Sequence, residues 1–381
     1  DRGGGTVVLP GPSSSSAAPQ DFQSSFAIGR IQHAFTGRSF ASFLFTDREI
    51  SGGGYNRVLG PDFQWTPNDT NQIVGQALLS MTETPNRPDL APEWTGGRSD
   101  SHALYLTWNH SSYHWNWSTT LRDLGDTFRA DDGFVPQVGI RESTGQLAYT
   151  FYTKGFLSRV TPLMFADYVT DSSGNTITRV YEPGVSWQGK LGMNGEIDYN
   201  ARDVERAGPY LIRDDRWHYS LSLTPPGRLS SISISGHTGR SIDFIDFRGG
   251  RGSDATLSAT LRPTLHLQLD ANIAVQSLNV EGRRLFTAQA DRLKATYVFS
   301  RSTFLRVVGQ YVRTNSNPAL YAEAIPASSG DFESSVLLGY QLNWQSVLYV
   351  GYGDTRAISE LGNLQNAGRE LFLKASYAFQ R

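Results

Sequence analysis

The sequence predicts an all-β chain: a transmembrane antiparallel up-and-down β-barrel, with about 19 strands in this chain and about 18–22 in a complete barrel. Three observations carry the prediction. Apolar and polar side chains alternate with a period of two, the composition is too polar for membrane helices, and the connections between strands alternate between short and long.

The alternation is clearest from Thr264 to Gln276. Leu265, Leu267, Leu269, Ala271, Ile273 and Val275 fall on one face of an extended strand, and His266, Gln268, Asp270 and Asn272 on the other. Soluble strands run about 5–6 residues, whereas a tilted strand crossing a bilayer needs about 9–11. The run fits the second length.

Of the 381 residues 39% are apolar. No stretch of about 18 apolar residues is present to cross a membrane as a helix. A barrel hides in such averages because half of each strand faces a wet lumen. The 38 glycines suit tight turns and close strands, and 8 Trp, 17 Tyr and 20 Phe suit interfacial girdles. A net charge of −2 offers no basic footprint for nucleic acid, so none is expected as a partner. The absence of cysteine excludes disulfides, thiolate metal sites and a Cys nucleophile. No signal peptide is visible at Asp1, so an exported chain is expected to be mature, processed or a fragment.

Residues 1–20, rich in Gly, Ser and Pro, read as a flexible low-complexity leader or extracellular loop, and 21–381 as the barrel. Strands are expected near 22–33, 38–48, 55–66, 70–83, 100–110, 112–122, 138–154, 159–172, 175–189 and 190–203. Others follow near 215–225, 229–246, 253–262, 264–279, 284–300, 303–314, 334–345, 347–357 and 369–380. Short links at Thr66–Thr70, Asn109–Ser112, Pro225–Arg228, Arg262–Thr264, Ser300–Ser302 and Asn343–Ser346 alternate with long ones. The long ones are Thr82–Asp100, Gly125–Gln137, Ala201–Asp214, Thr314–Asp331 and Asp354–Ala367. Periplasmic turns and extracellular loops segregate in this way. Single-chain bacterial barrels have even strand numbers, so the odd count points either to a miscount by one or to a chain that begins within an extracellular loop, its wall completed by an upstream segment or a second chain.

Two stretches resemble a known family. Thr46-Asp47-Arg48-Glu49 with Tyr55-Asn56-Arg57-Val58-Leu59-Gly60-Pro61-Asp62-Phe63 resembles its Thr-x-Arg strand end and following Val-x-Gly-x-Asp-Phe strand. Asp126 to Arg141 resembles its Phe-x-x-Asp-x-Gly-Phe-x-x-Arg-x-Asp segment. The family comprises bacterial outer-membrane proteins of unassigned function whose barrel follows a carbohydrate-binding-like N-terminal domain. The resemblance covers roughly residues 25–381, without that domain. Gln137 and Gly139 stand where the family often has Arg and Asp. The resemblance implies the fold, the outer membrane of a Gram-negative-type bacterium, and a carbohydrate-related setting. It supplies no reaction.

Each candidate site has a plain structural reading beside it. His110 and His114 have the spacing of helical zinc motifs, but here it crosses a tight turn between strands. Asp131 and Asp132, with Asp126 and Arg129, form an acidic segment that could bind calcium; a loop folding over the mouth and constricting it fits better. Ser233, Ser235 and His237 share a strand face and invite a search for a nucleophile, yet a polar lumen row explains them without chemistry. No catalytic residue, metal or cofactor is assigned.

Arg122, Arg292, Lys294, Arg306 and Lys374 are expected to point inward with His266 and Asp270, since Arg or Lys on the lipid face costs about 2–4 kcal/mol at the midplane. This set could favour anionic solutes or be a salt-bridged lumen without selectivity. Trp108, Trp115, Trp117, Trp344, Tyr297, Tyr311, Tyr340, Tyr352, Tyr377 and Phe379 fit aromatic girdles, whereas Tyr105 is expected inside. Leu371, Leu373, Ala375, Tyr377 and Phe379 resemble the terminal strand read by barrel-assembly machinery. Lipid bilayer and lipopolysaccharide complete the expected partners. The function expected is a channel or transporter for small solutes, saccharides among them. The rivals are a membrane anchor or partner-binding barrel without transport, and a surface hydrolase.

Overall fold

The computed structural model describes residues 5–11, 15–20, 23–90, 92–343, 345–359 and 362–377. Trp344 and Phe379, expected in the girdles, lie outside the described residues. Two compact units make up the chain: Asp1–Thr150 with Leu163–Tyr181, and Phe151–Pro162 with Glu182–Arg381.

The first unit opens with β1 (Gly5–Pro10) and β2 (Ser15–Gln20), which pair as an antiparallel hairpin. The stretch 1–20, expected as a flexible leader or loop, is thus ordered in part. Val7 and Ala18 bury themselves against Trp94, and that apolar cluster supplies the energy the polar composition concealed. Long strands follow: β3 (Ser24–Thr36), β4 (Ser39–Ile50), β5 (Tyr55–Asn68), β6 (Asn71–Glu83), β7 (Arg98–Ser111), β8 (Trp115–Leu124) and β9 (Ile140–Tyr149). The two-residue β10 (Phe151–Tyr152) falls in the second unit, and β11 (Leu157–Asp171) and β12 (Thr176–Gly189) are divided between the two.

The second unit continues with β13 (Met193–Tyr199), a short hairpin β14 (Val204–Ala207) and β15 (Tyr210–Arg213), β16 (Arg216–Leu223) and β17 (Leu229–Asp243). Then come β18 (Arg248–Leu261), β19 (Leu267–Val280), β20 (Arg283–Val298), β21 (Thr303–Ser316), β22 (Ser328–Asn343), β23 (Ser346–Ile358) and β24 (Leu364–Tyr377). No α-helix occurs among the described residues. Twenty-two strands form one sheet, in the order β10 to β24 followed by β3 to β9, and β9 also pairs with β11. Nineteen of them have seven residues or more, which matches the strands expected. The fold is the transmembrane up-and-down β-barrel.

Register fixes which side chains share a face. Across β4–β9, Ser42 lies opposite Asp62, Asp62 opposite Gln76, Gln76 opposite Tyr105, Tyr105 opposite Arg122 and Arg122 opposite Glu142. This polar row faces the lumen. The intervening residues, among them Phe63, Leu106, Leu121 and Trp117, face lipid and stay exposed or half-exposed in the isolated chain. In the second unit Thr260, Asp270 and Lys294 share the polar face while Leu261, Leu269 and Ala295 share the apolar one. A one-residue slip would turn every lipid-facing side chain inward, so this patterning holds the register.

Several strand pairs close by laying an aromatic ring over a glycine directly opposite. Phe304 covers Gly339 and Trp187 covers Gly195. A Cβ on Gly339 would meet the Phe304 ring at 2.4 Å. Glycine gives the ring room, and the ring in turn shields the bare backbone.

Candidate functional site: the polar face and its docked mouth loop

The segment between β8 and β9, Gly125 to Gly139, lies at the long-loop end and folds back onto the polar face of its own unit. Phe128 and Val138 are buried against Val58 of β5, with Leu78, Ala103, Ala130 and Val135 around them. A loop leaving its last strand here would expose this apolar set to water, so its burial draws the segment inward.

Polar contacts then fix its position. Asn56, 1% exposed, donates from Nδ2 to the Arg129 carbonyl (3.2 Å) and to Thr82 Oγ1 (2.9 Å). Its Oδ1 accepts from the Asp131 amide at 2.8 Å. The Arg129 amide donates to Ser80 Oγ (3.3 Å), and Arg48 Nη1 donates to the Asp131 carbonyl (3.1 Å). Arg129 grips Asp131 with both Nε and Nη2, at 3.1 and 2.8 Å, and Arg48 sits 3.6 Å from Asp132. Burial pushes both aspartate carboxyls above their ordinary range, against the opposing pull of Arg129 on Asp131 and of Arg48 on Asp132. The Arg129 guanidinium also lies 5.3 Å over the Trp94 ring. The hairpin touches the same segment, since the Val138 amide donates to the Gly11 carbonyl at 3.2 Å. Loop, hairpin and Trp94 therefore form one packed assembly within the first unit.

Asp131 and Asp132 thus serve as anchors within this loop, paired to arginines on the wall and in the loop itself. Arg122 pairs with Glu142 across β8 and β9. Lys294 pairs with Asp270 at 2.9 Å, and Asp270 also accepts from Thr260 Oγ1 (2.9 Å) and Gln268. Arg292 and Arg306 lie on the same face of β20 and β21, Arg306 over the Phe304 ring, and Lys374 stands opposite Tyr349. These three make no ion pair among the described residues. Glu333 and Glu370 share their face in register. His266 precedes β19 at the short-turn end, its Nδ1 2.8 Å from the Val298 carbonyl, so it sits at the rim rather than on the wall.

His110 and His114 also stay at the short-turn end. His110 contacts Asn71 and stacks on Trp117, while His114 contacts the Thr150 carbonyl and stacks on Tyr149. These hydrogen bonds go to different partners, Asn71 and Ser112 for His110 and the Thr150 carbonyl for His114. Trp108 and Trp117 meet edge to face at 4.8 Å, as do Trp115 and Tyr149 at 4.7 Å, on the lipid-facing side. Tyr377 closes β24, exposed. Ser233 and Ser235 face Ser222 and Ser220 across β16 and β17, and His237 pairs with Asp254; no hydrogen bond joins Ser235 to His237 among the described residues. Sequence reading missed Arg48, Asn56, Ser80 and Thr82 as loop anchors. Their only signal was polarity on the lumen side of β4, β5 and β6, strands that the loop itself does not join.

Seventeen strands of 10–16 residues with an apolar outer face and segregated turns place this barrel in the outer membrane of a Gram-negative-type bacterium. No family model matches the chain, and no curated protein matches it. Among solved structures it is similar to the siderophore receptor PirA from Pseudomonas aeruginosa, at 8% identity over 98% of this chain and 73% of that one, with a TM-score of 0.45. It is also similar to an anion-selective porin from Comamonas acidovorans (12% identity, 93% of this chain and 96% of that one, TM-score 0.35). A third is the outer membrane channel DcaP of Acinetobacter baumannii (13% identity, 93% and 97%, TM-score 0.36).

Proposed function

We propose that this barrel passes small polar solutes through its lumen and that the docked Gly125–Gly139 loop narrows the path at the long-loop end. The single observation behind this reading is how the loop is held. It sits on the lumen wall through hydrogen bonds and ion pairs around Asn56, Arg48 and Arg129, which can break and reform without unfolding a strand. A barrel of this strand number leaves an aqueous interior unless something fills it.

The balance of charge favours neutral cargo. Arg122 and Lys294 are each neutralised by an acid, and Arg292, Arg306 and Lys374 share their face with Glu333 and Glu370. Mixed charge on a wide wall selects weakly between anions and cations. Neutral saccharides therefore suit the wall better than anions do, and the resemblance to barrels with a carbohydrate-binding-like domain supports the same choice. Planar-bilayer recording tests the reading: stepwise conductance, partly blocked by oligosaccharides, is expected from the refolded chain. A barrel that stays sealed even after the loop anchors are removed favours the anchoring role instead.

A further inference from the structure

A separate cluster lies on the polar face of the second unit. Glu182 on β12, Asp198 on β13 and His218 on β16 face the lumen together, because Asp198 stands opposite both Gly184 and His218 in register. His218 Nδ1 is 3.3 Å from Glu182 Oε1 and 3.3 Å from Asp198 Oδ1, and one donor atom from each residue lies within 4.8 Å of the others. Asp198 is 7% exposed, and its Oδ1 is buried with no hydrogen bond. Gly184 leaves the space for it, since a Cβ there would meet the Asp198 Cβ at 2.7 Å.

Two carboxylates and one imidazole bring three donor atoms of metal-ligand type to one point on the wall. A buried carboxylate oxygen with no well-formed hydrogen bond is costly, and here it lies 3.3 Å from His218 Nδ1. We propose that Glu182, Asp198 and His218 form a binding site for a first-row divalent transition-metal ion of the Zn2+ class, open to the lumen at its remaining position. Bonds of about 2.0–2.1 Å to a tetrahedral ion set donor atoms about 3.3–3.4 Å apart. The spacing of His218 to each acid fits that edge. An imidazole nitrogen selects against calcium and magnesium, which take oxygen ligands. His237, its ring 6.0 Å from that of His218 and held by Asp254, flanks the site on the next strand. The proposal does not depend on conduction.

The test titrates the untagged, refolded full chain in detergent with Zn2+ alone, and follows Co2+ as a coloured substitute. One saturable Zn2+ per chain is expected, with Co2+ absorption bands that Zn2+ abolishes. Asp198→Asn and His218→Gln should each weaken binding by about tenfold or more, and Ser235→Ala on the adjoining strand should not. Heat-dependent gel mobility reports folding. If a variant fails that check, Glu182→Gln, altering a side chain 20% exposed, reads the same loss. Absence of saturable Zn2+ binding by the folded chain overturns the proposal, as does binding that folded variants leave unchanged or that calcium matches.

Discussion

Asn56→Ala is the perturbation that isolates the loop latch. The side chain is almost wholly buried and makes two hydrogen bonds to the loop, one to the Arg129 carbonyl and one from the Asp131 amide. Each is worth about 0.5–1.5 kcal/mol net, so their loss weakens docking by about 1–3 kcal/mol. The Asp131 amide would be left buried without an acceptor, which favours the upper end. At about 1.4 kcal/mol per factor of ten, the docked-to-undocked ratio falls about 5- to 150-fold. The apolar anchors Phe128 and Val138 remain, so the loop opens more often rather than leaving for good. Hydrogen exchange over the amides of 126–138 in wild type and variant, in one detergent, reads the change directly. Bilayer recordings should show more frequent openings in parallel. Unchanged protection at Asp131 in a correctly folded variant would refute the argument and assign docking to the apolar contacts alone.

Three further outcomes follow from the same geometry. Burial raises Asp131 and Asp132 in the docked state, so docking gains stability as pH falls and loses it as pH rises through the raised values; closures should become more frequent as pH is lowered in single-channel records. Asp214, next to the β14–β15 hairpin, is pushed up to about 6 by burial, so its contribution is present in acid and is lost as pH climbs through that value, read by urea unfolding at a series of pH values. Gly339→Val drives a side chain into the Phe304 ring and should cost about 1–3 kcal/mol in the same unfolding assay, relieved in part by Phe304→Ala.

The sequence made the fold legible because the bilayer imposes its penalty residue by residue. Leu267, Leu269, Leu293, Leu305, Leu338, Leu371 and Leu373 could be set apart from Asp270, Arg292, Lys294, Arg306 and Lys374 by parity alone, and the pairing register keeps the two sets on opposite faces. What it could not reveal depends on partners far along the chain. The Asn56 contacts reach 73 and 75 residues ahead, and polar side chains on a lumen face look alike whether or not a loop docks on them. The β1–β2 hairpin hid in a Ser- and Gly-rich stretch because Val7 and Ala18 find their apolar partner in Trp94, in a distant loop. Glu182, Asp198 and His218 come from three strands, and only the register between β12, β13 and β16 joins them. The parity rule found His237 on the correct face, but parity says nothing about height along the strand.

Height can be read instead from the outward face of β7 and β8. The height of the band follows when Trp115 and Trp117 are taken at one interface and Asp123, paired with His102 (3.5 Å) and Arg141 (3.4 Å), at the other. Trp115 to Asp123 is eight rises of about 3.3 Å, or about 26 Å along the strand and about 20 Å along the normal at a tilt of about 40°. That is near the roughly 25 Å apolar band of such barrels and suits the thin outer membrane. Leu121, 52% exposed, falls inside the band. Leu121→Arg should therefore lower folding stability by up to about 2–4 kcal/mol, less if it sits above the midplane. Gln146→Arg, on the polar face of β9, should change it by far less. Urea-dependent folding into lipid vesicles measures both. Equal costs for the two would mean that both faces meet the same solvent, and the assignment of lipid to the apolar side would fail.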